Sequence, residues 1–109
     1  MRAIRIGVNP DDVKVIEIEN KLEDLQQAVG GYIEVWRNAE LEPMNIVGIV
    51  DEEGVLKHKT YNLNTYPFFI VGTMLLVALN EDKEDFTGLD DGQLMYAQEW
   101  LAELRELRY

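Results

Sequence analysis

The chain has 109 residues, with 21 acidic against 10 basic side chains and a formal net charge of −11. That length fits one domain, able to bury a core without disulfide or metal staples. The acidity excludes general binding to nucleic acid or anionic membranes, which depends on neutralising phosphates. Cysteine and serine are both absent, which removes disulfides, thiolate metal sites and the commonest nucleophiles.

In chain order, Arg2–Val8 alternates, with Arg2, Ile4, Ile6 and Val8 on one face and Ala3, Arg5 and Gly7 on the other, and predicts a half-buried strand. It shows no continuous apolar stretch of the signal-peptide kind. Asn9–Asp12 supplies a turn around Pro10, and Val13–Glu19 predicts the returning strand of an antiparallel hairpin. In Val15–Trp36, strand, short helix, glycine break and strand follow in turn. Asn20 and Glu23 have capping-box spacing, Leu22, Leu25 and Val29 form one stripe, and Gly30 suits a left-handed helix end. Gly30-Gly31 follows a helix, whereas phosphate-binding glycine loops open one.

Tyr32–Trp36 and Asn45–Val50 predict two further strands, separated by the polar loop Arg37–Met44. Asp51–Gly54 carries turn chemistry and predicts a hairpin into a short strand at Val55–Lys59, then a polar loop from Thr60 to Pro67. Phe68–Leu79 is 12 residues long, short of the roughly 20 needed to span a membrane, and predicts a buried central strand with a bulge or a close approach at Gly72. An acidic loop over Asn80–Asp91 leads to a helix opened by a capping box of Asp90 and Gln93. Leu94, Ala97, Leu101 and Leu104 make a helical stripe, widened by Trp100 and Leu107, for packing on the sheet or on a partner. The fold class is therefore α+β: one domain, a mostly antiparallel sheet, a short helix after the first hairpin and a C-terminal helix. The core is expected within 1–89, with the helix at 90–109.

Three stretches carry a family resemblance. The first is VIEIENKLEDLQQAVGGYIEV, Val15–Val35. The second is DEEGVLKHKTYN, Asp51–Asn62, where Gly54 and Asn62 keep the spacing of a glycine followed eight residues on by asparagine. Asp51, His58 and Thr60 stand where that pattern usually has Asn, Gly and Pro. The third is Ile70-Val71-Gly72-Thr73. Over Met1–Leu89 the chain resembles the family known as domain of unknown function 3846, small proteins of phages and mobile elements. The resemblance implies a fold and a phage-like setting, with no established activity.

For chemistry the inventory is narrow. The single histidine, His58, lies between Lys57 and Lys59 with no paired acid or nucleophile in view. Asp51-Glu52-Glu53, Glu81-Asp82 and Asp90-Asp91 lack the ligand spacing of a calcium loop and suit solvated turns and a helix cap. No catalytic residue, metal site or cofactor is expected. Two binding surfaces are. Arg37, Lys57, His58, Tyr61, Asn62 and Asn64 bring cations, aromatic faces and amides within reach of a nucleotide-like ligand, Tyr66 adding a further ring. Glu81, Asp82, Glu84, Asp85, Asp90 and Asp91 form an acidic surface suited to a host protein.

The leading expectation is a non-enzymatic binding protein of a phage or mobile element, cytoplasmic in its host, that inhibits a defence factor through that acidic surface. Sequestration of a nucleotide-like signal, a metal-assisted hydrolase and a purely structural accessory domain are the alternatives. Direct nucleic-acid and membrane binding are not expected. Trp36, Tyr96, Trp100 and Tyr109 suggest a homodimer through the C-terminal helix.

Overall fold

Two six-residue strands, Ile46–Asp51 and Met74–Leu79, are buried along their whole length, and the sheet is assembled around them. The computed structural model describes residues 1–9, 11–64 and 69–106. In chain order the elements are β1 (Arg2–Ile6), β2 (Val13–Glu17), α1 (Leu22–Val29), β3 (Ile33–Trp36), β4 (Ile46–Asp51), β5 (Tyr61–Asn64), β6 (Phe69–Val71), β7 (Met74–Leu79), β8 (Phe86–Thr87) and α2 (Asp91–Glu106), with a 3₁₀ turn at Glu42–Met44. The main sheet runs β2-β1-β7-β4-β3, with β8 on β7, and every pairing is antiparallel. β5 and β6 form a separate two-stranded sheet.

Alternation of side chains divides the core into two layers. Ile4, Ile6, Val50, Met74, Leu76 and Ala78 face α2 and the β5–β6 ribbon, where Leu63, Ile70, Ala97, Trp100 and Leu101 meet them. Ala3, Val47, Ile49, Leu75 and Val77 face α1 through Leu25 and Val29. The architecture is thus α+β, a mostly antiparallel sheet between the short helix and a layer built from the C-terminal helix and ribbon. Among the described residues no helix is long and apolar enough to cross a membrane.

The first hairpin pairs as its sequence predicts, with Ile4 opposite Val15 and Arg5 opposite Lys14. β1, however, is buried on both faces and not one, Ala3 in the α1 layer and Ile4 and Ile6 in the other. Gly30 ends α1 in the left-handed region at φ 82°, donating its amide to the Gln26 carbonyl. The expected capping box of Asn20 and Glu23 does not form. Lys21 occupies the cap position without a side-chain bond, and the Asn20 amide instead donates to Asp85 Oδ1 and the Phe86 carbonyl, both at 3.0 Å. A tertiary contact took the capping side chain. Leu22 is exposed, leaving Leu25 and Val29 as the buried stripe.

Three expectations from residue 55 to 79 are corrected. Val55–Lys59 is no strand: residues 52–58 coil through successive turns, closed by Lys57 N–H to the Glu53 carbonyl and Lys59 N–H to the Gly54 carbonyl. The polar stretch after Thr60 is a strand, β5, because Leu63 is buried under α2 while Asn62 bonds into the main sheet. Finally, the apolar run expected as one central strand is two. Gly72, at φ 72°, turns the chain between β6 in the ribbon and β7 in the sheet. The turn at Pro10, the break at Pro67, the start at Phe68 and the stripe position Leu107 lie outside the described residues. α2 opens with the predicted capping box: Gln93 N–H donates to Asp90 Oδ1 at 2.7 Å, and Asp90 N–H to Gln93 Oε1 at 2.9 Å.

Candidate functional site

β4 is apolar until its last residue, and that residue is the centre of the site. The Asp51 side chain is only 1% exposed, on the α1 face of the sheet. A carboxylate so placed needs opposite charge. Lys59 Nζ lies 2.6 Å and Lys57 Nζ 2.9 Å from its Oδ2, while the Glu53 amide donates to Oδ1 at 2.9 Å. Burial alone would raise the Asp51 pKa; the bonds from Lys59, Lys57 and the Glu53 amide outweigh it and lower the value to about 2. The same contact raises the Lys57 ammonium above its usual range. Both lysines reach further: Lys59 Nζ donates to the Val29 carbonyl at 2.7 Å and Lys57 Nζ to the Gly30 carbonyl at 3.2 Å. Two cations therefore close the negative end of α1 and neutralise one buried acid together. Sequence reasoning placed Asp51 in a solvated turn; its signal was an acid ending a wholly apolar strand, with lysines six and eight residues on.

The expected ligand residues are only partly brought together. Lys57 is committed to Asp51. Asn62 is fully buried, its Nδ2 donating to the carbonyls of Ile6 (3.0 Å) and Gly72 (2.8 Å), so it ties the ribbon to the sheet. His58 is exposed on the turn at φ 54°. Tyr61 is exposed, with its ring 6.0 Å from that of Phe69. Arg37 lies beyond β3, 3.9 Å from Glu42. The Asn64 side chain and Tyr66 lie outside what is described.

Arg37 does border a cleft, of about 360 Å³, that opens where the ribbon overhangs the β3 edge. Trp36 and Val50 form its floor, Val55, Phe69 and Val71 its wall, and Glu34 and Glu52 its charged margin with Arg37. Trp36 packs close against Gly48, which has no side chain to hold it off. A Cβ there would sit 2.8 Å from Trp36 Cε3 and 3.1 Å from Met74 Sδ. Trp36 also meets Trp100, with ring centroids 6.1 Å apart and the planes inclined at 48°.

On the acidic surface, three of the six expected carboxylates have internal duties. Asp85 accepts from Asn20, Asp90 caps α2, and Asp91 pairs with Arg2 at 2.9 Å. Glu81, Asp82 and Glu84 are exposed on a turn that the Asn80 side chain holds by accepting from the Glu84 amide at 3.0 Å. Tyr96 donates its hydroxyl to the Glu40 carbonyl, and Tyr109 lies outside the described residues. Among the described residues no three acidic or histidine side chains converge as a metal site would require.

The family model for the domain of unknown function DUF3846 matches residues 1–103. The chain belongs to this family. No curated protein and no solved structure matches it. The three stretches that carry the DUF3846 resemblance meet in space: Lys59 of the second bonds Val29 of the first, and Asn62 of the second bonds Gly72 of the third. His58 has a positive φ, the conformation that glycine adopts most freely.

Proposed function

We propose that this DUF3846 domain is a non-catalytic binding protein of a phage or mobile element, which blocks a basic host protein by occupying its surface. The observation that supports this reading is how the charges are shared out. Arg2, Arg5, Arg37, Lys57 and Lys59 each pair with an acid of the same chain. Glu81, Asp82 and Glu84, by contrast, stand exposed with no ion-pair partner among the described residues. The Asn20–Asp85 bond ties to this turn the stretch Glu19–Glu23, which exposes Glu19 and Glu23 against Lys21. The turn carries Glu81, Asp82 and Glu84 against Lys83 alone, and its net negative charge attracts a cationic partner and repels nucleic acid.

The test is retention of a host protein by the immobilised domain across a salt series, with the E81K/D82K/E84K variant alongside. The wild type should release its partner as salt rises, and the variant should fail to hold it at low salt. An identical salt profile for both proteins would remove the acidic turn from the interaction.

A further inference from the structure

The second surface that stands out is the β3 edge of the main sheet with the cleft beside it. Tyr32 accepts a bond from the Glu52 amide, so Tyr32, Glu34 and Trp36 direct their backbone groups toward β4. In an antiparallel pair the intervening residues point the other way. Ile33 and Val35 therefore present their N–H and C=O groups outward, and no other described element pairs with them. Free strand edges are usually blunted by proline, bulges or a covering segment. Here the edge borders a cleft with apolar walls, where Val55 and Phe69 are exposed, and Val35 is exposed on the opposite face of the edge strand.

We infer that the β3 edge and its cleft bind an extended, cationic segment of a partner protein by strand addition. An added strand would place alternate side chains on the α2 face of the sheet, opposite Glu34 and Trp36. The position opposite Trp36 enters the cleft between Phe69 and Val55 and takes an apolar side chain. The position opposite Glu34 takes lysine or arginine. Charge selects this occupant over others. Glu34 and Glu52 have no ion-pair partner among the described residues, whereas Arg37 is already shared with Glu42. An anionic ligand meets net repulsion at this margin. A second copy of the chain brings another net −11. This surface is separate from the 81–85 turn and stands whether or not that turn docks a protein.

The test uses amide shifts of the isotope-labelled domain, titrated with the acetylated, amidated pentapeptide Lys-Thr-Val-Thr-Lys. The Val35 amide should move and become protected from exchange, and the Ile33 amide, at the end of the paired stretch, should move with it. Methylating the two threonine nitrogens, which removes the ladder donors without touching the protein, should weaken binding by about tenfold or more. Replacing both lysines with glutamate should do the same. Val35→Pro deletes an outward N–H and leaves the β4 ladder whole, so it should abolish the response in a folded protein. The E81K/D82K/E84K variant should still bind, which separates this surface from the acidic turn. No shift at Ile33 and Val35, or a response confined to residues 81–85, would overturn the inference. So would equal binding of the methylated peptide. Protection of the same amides without peptide, together with a dimeric mass, would assign the edge to a second copy instead.

Discussion

At the residue scale Asp51 carries the most consequence. Its folded pKa of about 2 lies below the ordinary 3.8, so the stability it contributes is fully present above about pH 4. That stability fades as pH falls through the interval toward 2, where the carboxylate takes up a proton. Asp51→Asn keeps the shape and the bond from the Glu53 amide but leaves two ammonium groups against helix carbonyls without their counter-charge. It should cost about 1–3 kcal/mol at neutral pH, the half-exposed lysines recovering part of the loss through water. Urea midpoints of both proteins should converge as pH approaches 2; a constant gap would show that the charge is irrelevant. His58 makes a second prediction of opposite direction. With φ at 54° its Cβ crowds the backbone, so His58→Gly should stabilise the domain by about 0.5–1 kcal/mol in the same assay.

At the element scale the informative contact is β3 with β4 beneath α2. Gly48→Ala would place a methyl within 2.8 Å of Trp36 and push the ring from its contact with Trp100. Overpacking of this kind should cost about 1–3 kcal/mol, and the near-ultraviolet signal of the two tryptophans should change with it. Elements written in local chemistry were legible in the sequence. The β1–β2 hairpin, the Gly30 stop, β4 and the Asp90–Gln93 opening of α2 depend on periodicity or on side chains three residues apart. The failures have a common cause in tertiary competition. Asn20 had the right identity to cap α1 and was taken by Asp85, sixty-five residues on. β5 looked like a loop because Leu63 is the one apolar residue buried there among the described side chains, and its polar neighbour Asn62 is buried by bonding to two carbonyls. An apolar run hides a break when both halves are apolar, although β6 exposes Phe69 and only β7 is buried throughout; the positive φ at Gly72 marks the turn between them. The site was legible as a list of cations but not as an arrangement. Lys57 and Lys59 were visible, yet their partners are an acid at a strand end and carbonyls 27 and 30 residues earlier.

At the scale of the whole molecule, net charge works against the fold that carries it. A charge of −11 on one small domain repels itself, and salt screens exposed pairs more than the buried Asp51 cluster. Raising ionic strength from about 0.01 to about 0.15 M contracts the screening length from about 30 to about 8 Å. The melting temperature should therefore rise over that range, even while any complex through the acidic turn weakens. A melting temperature that falls with salt would mean that the surface ion pairs outweigh the repulsion.

The closure of α1 by Lys57 and Lys59 also bears on how the chain is made. Eight residues are too few to hold a helix in water unaided, and this one lacks a side-chain cap at its start. Its last carbonyls find their donors only after Lys59 has been synthesised. During translation the segment that carries the chain from the β2 edge to the β3 edge must wait, unsettled, for a loop still inside the ribosome. The first half of this protein is therefore not a folding unit, and a nascent chain stalled before residue 57 should be as open to protease as an unfolded one.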